Sequence, residues 1–143
     1  MNDQINEALL DAWLGMSVSV RGNRIVSGMR FNEILICNIL YRQKEAGLPN
    51  LTATDLCDRT RLLKSQINKL LSALEEKEII ERSRSSQDKR RVYLCLKEEN
   101  ISVYLKEHEQ ILKILDKLIR TMGEEKIVLL TSLLTEATNV ITE

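Results

Sequence analysis

Apolar residues return every three or four positions along most of this chain, the spacing of amphipathic helices. Ile5, Leu9, Ala12, Trp13 and Met16 form a first stripe, with Asp3, Glu7 and Asp11 on its other side. Between Ser17 and Met29 two glycines, three serines and Asn23 break the pattern. From Phe31 to Ala46 the chain is apolar almost all round, which predicts a central buried helix with Asn32 as candidate N-cap and Gly47 as its stop.

Leu48-Pro49-Asn50 marks a turn, and Thr52 with Asp55 three residues later has the pattern of a capping box, so a short helix is expected from Ala53 to about Arg59. After a turn at Thr60 to Leu63, the run from Lys64 to Lys77 sets Ile67, Leu70, Leu71 and Leu74 on one stripe. Ser65, Gln66, Asn68, Lys69 and Ser72 are left on a polar, slightly basic face. The pattern then changes. Ile79 to Arg84 and Arg91 to Leu96 are short β-prone runs joined by Ser85-Ser86-Gln87-Asp88-Lys89-Arg90, which predicts a two-stranded hairpin with a basic tip and no glycine in its turn.

Beyond Lys97 a heptad spacing sets in through Ile101, Tyr104/Leu105, His108, Ile111/Leu112, Leu115, Leu118/Ile119 and Met122, the signature of a helix that needs a partner along its length. Gly123 interrupts it. Ile127, Leu130, Leu134, Ala137 and Ile141 define a last helix, with Glu124 and Glu125 at the end where the helix dipole favours acids. The expected fold is mainly α with a small β-wing, a winged helix-turn-helix lobe at 31–97 flanked by dimerisation helices at 1–30 and 98–143, in one domain of 143 residues.

Composition agrees with this: aromatics are only 3% and proline occurs once, so the core must be helices packed through Leu and Ile. Net charge is zero, which hides a strong polarity. Residues 59–71 hold Arg59, Arg61, Lys64 and Lys69 without an acid, and residues 82–91 hold five bases against Asp88; each stretch carries +4, so the rest carries −8. An acidic body with a basic patch suits a nucleic-acid partner better than the zero suggests. The acidic N-terminus lacks the cationic start of a secretory signal, and no run approaches the ~18 apolar residues that span a bilayer, so a cytoplasmic location is expected.

The run LTATDLCDRTRLLKSQINKLLSALEEKEIIERSRSSQDKRRVYLCL resembles the winged-helix core of the MarR (multiple antibiotic resistance regulator) family in order and spacing, and the flanking helices extend the resemblance over nearly the whole chain. Its most specific piece is Asp88-Lys89-Arg90 followed by Leu94-Cys95-Leu96, similar to the family's Asp-x-Arg wing and Leu-x-Leu strand. The resemblance implies that Arg90 reaches a minor groove and that Asp88 holds it, and narrow A·T-rich grooves attract such an arginine. It further implies a homodimer on a pseudo-palindromic operator in double-stranded DNA, most simply a repressor, open to a small-molecule effector. Two departures stand out. Glu78 occupies the place of the usual glycine after the recognition helix, and Leu62-Leu63 offers no capping side chain before Lys64.

The DNA-binding set expected on this basis is Lys64, Ser65, Gln66, Asn68 and Lys69 on the recognition helix, with Arg84, Asp88, Lys89, Arg90 and Arg91 on the wing. Gln66 is the first choice for base reading; the plain rival is a solvated helix face. Relatives that bind aromatic acids or drugs between lobe and dimer helices suggest Trp13, Met16, Arg21, Arg24 and Tyr41 as cavity-lining candidates, although core packing explains Trp13, Met16 and Tyr41 equally well. Cys37, Cys57 and Cys95 read as buried free thiols and His108 as a seam residue; no metal or cofactor is expected. No nucleophile and base stand at telling spacing and no glycine-rich phosphate loop is present, so an enzyme is not expected. The rival function is a helical adaptor that binds a protein through its apolar arms without specific DNA binding.

Overall fold

A computed structural model describes residues 3–22 and 29–143. Among the described residues six helices and three short strands follow in the order α1 (Asp3–Gly22), α2 (Phe31–Glu45), β1 (Leu51–Thr52), α3 (Ala53–Thr60), α4 (Lys64–Glu76), β2 (Ile80–Arg84), β3 (Val92–Leu96), α5 (Ile101–Met122) and α6 (Glu124–Thr142). The first helix runs on past Ser17, where the sequence pattern breaks, because losing an apolar stripe does not by itself end a helix.

The core lies in the middle of the chain. Ile36, Cys37 and Leu40 of α2 meet Leu56 of α3, Ile67, Leu71 and Leu74 of α4, Ile79, Ile80 and Leu94 around the sheet, and Tyr104 of α5. The Tyr104 hydroxyl donates to Asn38 Oδ1 at 3.0 Å, which satisfies its one polar atom. Helix α2 is central, as expected, but buried on one face and not all round; Phe31 stays exposed. Its N-cap position is Arg30, not Asn32, because Glu33 reaches back to accept from the Arg30 N–H at 3.3 Å.

The wing is part of a three-stranded antiparallel sheet ordered β1-β3-β2, where the sequence pattern predicts two strands. Leu51 pairs with Leu94 and Thr52 with Tyr93, so the chain lays down an edge strand just before it enters α3. A two-residue strand shows no alternation, which is why periodicity misses it.

Two helix ends share one device. After α2, Leu48 N–H donates to Gln43 O and Gly47 N–H to Lys44 O; after α4, Ile79 N–H donates to Leu74 O and Glu78 N–H to Glu75 O. Both are Schellman ends, which need a left-handed residue. Gly47 supplies it at φ 68°, whereas Glu78 adopts φ 56° despite its Cβ.

The first half of α5 packs on the core through Ile101, Tyr104, Leu105 and Ile111, but Leu112, Leu115 and Met122 are exposed within one chain. No described residue of α6 is buried, and Leu129, Leu133, Leu134 and Ile141 face outward. On α1, Ile5, Leu9, Trp13 and Met16 are exposed as well.

Candidate nucleic-acid interface

Helices α3 and α4 form the helix-turn-helix. Thr52 opens α3 with a reciprocal pair: Asp55 N–H donates to Thr52 Oγ1 at 3.2 Å, and Thr52 N–H to Asp55 Oδ2 at 2.9 Å. Between the helices, Arg61 takes φ 62°, and Thr60 Oγ1 donates to Leu56 O while accepting from Leu62 N–H. Helix α4 lacks a capping side chain at Leu63, as the sequence indicates. Gln66 compensates in part, since its Oε1 accepts from Leu63 N–H at 2.9 Å.

Burial of Ile67, Leu71 and Leu74 fixes the rotation of α4. At 100° per residue Ser65, Lys69 and Ser72 then stand opposite the core, and all three are exposed. Lys64 and Asn68, one turn apart, turn toward α3 and the wing. The far end of α4 is tied to α2 by Lys77, whose Nζ lies 2.7 Å from Oε2 of Glu33, a carboxylate only 1% exposed. Gln43 secures α3 in a similar way, donating to Pro49 O at 2.8 Å and accepting from Arg59 at 3.3 Å.

The wing tip is held by its own hydrogen bonds without a glycine. Ser85 N–H donates to Arg91 O and Arg91 N–H to Asp88 O, both at 3.0 Å, while Ser85 Oγ accepts from the N–H groups of Gln87 and Asp88. Arg84 closes the hairpin by donating to Lys89 O at 3.1 Å. Asp88 Oδ1 accepts from Arg90 N–H at 3.0 Å and sits 3.7 Å from Arg90 Nε, so the acid fixes the backbone at Arg90 while its side chain stays 95% exposed.

These pieces meet at a concavity of about 810 Å³ between α3, α4 and the wing, lined by Thr54, Lys64, Asn68, Arg82, Arg90, Arg91 and Tyr93 among others. Arg91 is held more firmly in its charged form by the Tyr93 hydroxyl and by Asp88. The structure thus brings Lys64, Asn68, Arg90 and Arg91 around one space, with Ser65, Gln66 and Lys69 exposed on α4 and Arg84, Asp88 and Lys89 building the tip. Thr54, Arg82 and Tyr93 were not singled out by sequence. Arg82 belongs to the basic run, but Thr54 and Tyr93 carry no signal until the fold places them there.

The ligand candidates are not brought together within one chain. Trp13 and Met16 are exposed on α1, whereas Tyr41 packs on Tyr104 with ring centroids 5.7 Å apart. Arg24 and the side chain of Arg21 lie outside the described residues. Of the thiols only Cys37 is buried; Cys57 and Cys95 are half-buried, a correction to the expectation of three buried ones. Burial, with Glu33 adding to it, pushes the Cys37 thiol up to about 12. Cys95 lies on the sheet, where Asn50 Nδ2 approaches its Sγ at 3.2 Å. His108 packs beside Tyr104, with ring centroids 5.6 Å apart, and among the described residues no group of three His, Cys, Asp or Glu is placed to hold a metal ion.

Comparison with known proteins gives the same architecture. FabT of Streptococcus pneumoniae, solved in complex with DNA, is similar with a TM-score of 0.74 at 23% identity, over 99% of this chain and 98% of that one. PcaV of Streptomyces coelicolor, solved with its natural ligand, has a TM-score of 0.73 at 20% identity, over 91% and 89% of the two chains. In sequence, the helix-turn-helix transcriptional regulator FarR of Neisseria gonorrhoeae is 31% identical over 86 residues, or 60% of this chain and 59% of that relative, so the match spans less than two thirds of FarR. The family model of the transcriptional regulators SarA/Rot matches residues 26–108, from before α2 through the wing into α5. That match takes in more than half of the chain and the whole helix-turn-helix and wing: the chain belongs to the SarA/Rot family of transcriptional regulators, and its fold is the MarR-type winged helix.

Proposed function

We propose that this regulator binds duplex DNA sequence-specifically as a homodimer in the cytoplasm, most simply as a repressor, with 31–97 as the DNA-binding lobe and 1–30 and 98–143 as the dimer arms. The observation that carries the reading is the shared concavity of α4 and the wing, in which Lys64, Asn68, Arg90 and Arg91 surround one space. Helix α4 lies in the major groove with Ser65, Gln66 and Lys69 toward it, and Arg90, oriented by Asp88, enters the neighbouring minor groove. Arg84 and Lys89 shape the tip that carries it.

The apolar residues left open on α1, α5 and α6 support the dimer. A monomer in water rarely leaves so many large apolar side chains open on three helices, and a second copy would cover them symmetrically. Relief by a small ligand bound where the arms meet the lobe, near Trp13, Met16, Arg21, Arg24 and Tyr41, is the natural extension, in keeping with the ligand carried by PcaV. The work is binding, not catalysis. An adaptor without DNA affinity is the weaker reading, because it leaves the basic charge concentrated on α4 and the wing without a purpose.

Selection of bound sequences from random duplex DNA tests the proposal. An inverted repeat with half-site centres about 34 to 36 Å apart is the expected result. Absence of any enriched sequence overturns it.

A further inference from the structure

Gln66 stands at the third position of α4, and its side-chain oxygen accepts from Leu63 N–H at 2.9 Å. A backbone N–H can only donate, so the amide must face it with oxygen, which leaves the NH2 group outward at the exposed N-terminal end of the helix. A glutamine that reads adenine uses both halves of its amide, donating to N7 and accepting from the N6 amino group. Here the oxygen is turned back to the helix end, where Leu63 brings no capping oxygen of its own, so the half of the amide left to face a base is the donor. Resting on the proposed DNA reading, we infer that Gln66 is a donor-only base reader, selecting guanine, whose major-groove edge offers two acceptors, over adenine at one position of each half-site. One residue then both closes the start of the recognition helix and sets its preference.

The same device recurs at two other helix starts of this chain. Glu33 and Asp55 also stand third in their helices and accept from the N–H of Arg30 and Thr52. The back-bond at Gln66 is thus the way this chain starts helices and belongs to the folded protein before DNA arrives. Reading adenine would require turning the oxygen outward, away from the position in which it closes the helix start.

The test compares sequences selected from random duplex DNA by the full-length protein and by Gln66→Glu. The variant keeps an oxygen for Leu63 N–H but has no donor, so the guanine position should move to cytosine, whose N4 amino group donates, with affinity for the guanine duplex falling about tenfold. Thermal unfolding followed by circular dichroism should be nearly unchanged, since an acid is favourable at a helix N-terminus. A second arm leaves the protein alone: 7-deazaguanine at that position removes an acceptor and should weaken wild-type binding several-fold. Identical selected sequences for both proteins, or adenine at the position that changes in Gln66→Glu, overturns the inference while leaving DNA binding intact. Failure of the wild type to enrich any sequence overturns both together.

Discussion

Arg90 places a nearly free guanidinium at the tip of a wing whose backbone is fixed by Asp88 and Ser85. Its removal should therefore change DNA binding and little else: Arg90→Ala is expected to weaken binding to the selected duplex by roughly 1 to 3 kcal/mol with helix content unchanged, read by fluorescence anisotropy and circular dichroism. Cys37 behaves oppositely. Burial raises its thiol to about 12, so the folded state favours the protonated form; that contribution is complete below about pH 8.5, where a free thiol begins to ionise, and is lost as pH rises toward the folded value. At pH 8 an alkylating reagent should leave Cys37 untouched until denaturant is added, and mass spectrometry of the modified peptides checks this; rapid labelling of Cys37 in the native protein would contradict the packing described. Asp88 and Arg90 are two residues apart and legible as a pair. Glu33 and Lys77 are 44 residues apart, and nothing in the sequence joins them until α2 and α4 cross.

At the scale of elements, helices with a clean stripe were legible because burial on one face imposes a period; the two-residue strand β1 and the extra turns of α1 were not, because neither has one. The end of α4 shows how far a local rule bends. Glu78 takes the left-handed conformation that its Schellman end demands, and its carbonyl accepts from Asn100 Nδ2 at 2.9 Å, so the wing starts in the right direction without glycine. Relief of this strain outweighs the added freedom of the unfolded chain, so Glu78→Gly should stabilise the protein by about 0.5 to 1 kcal/mol, seen as a higher urea midpoint at unchanged slope. The heptad seam of α5 was also legible, but only its first half packs on the core of its own chain. Leu115→Glu, in the exposed half, should give monomers by sedimentation and weaken DNA binding, because an unpaired charge at a closed interface is costly.

For the whole molecule, a net charge of zero is divided between two basic stretches, 59–71 and 82–91, and an acidic remainder, and the fold brings residues of both basic stretches into the lining of one concavity. Charge counted by segment made that surface legible in the sequence; its actual lining, with Thr54 and Tyr93 beside the bases, depends on how α3 and β3 meet. On the proposed reading such a surface neutralises phosphates and releases their counterions, and base contacts from α4 would add an advantage for one sequence over another. The measurement that bears most directly on this is the affinity of the full-length protein for its selected duplex and for a scrambled one across a range of salt. Both affinities should fall steeply as salt rises, with the selected duplex keeping an advantage of about a thousandfold or more. Equal affinities with no salt dependence would contradict it.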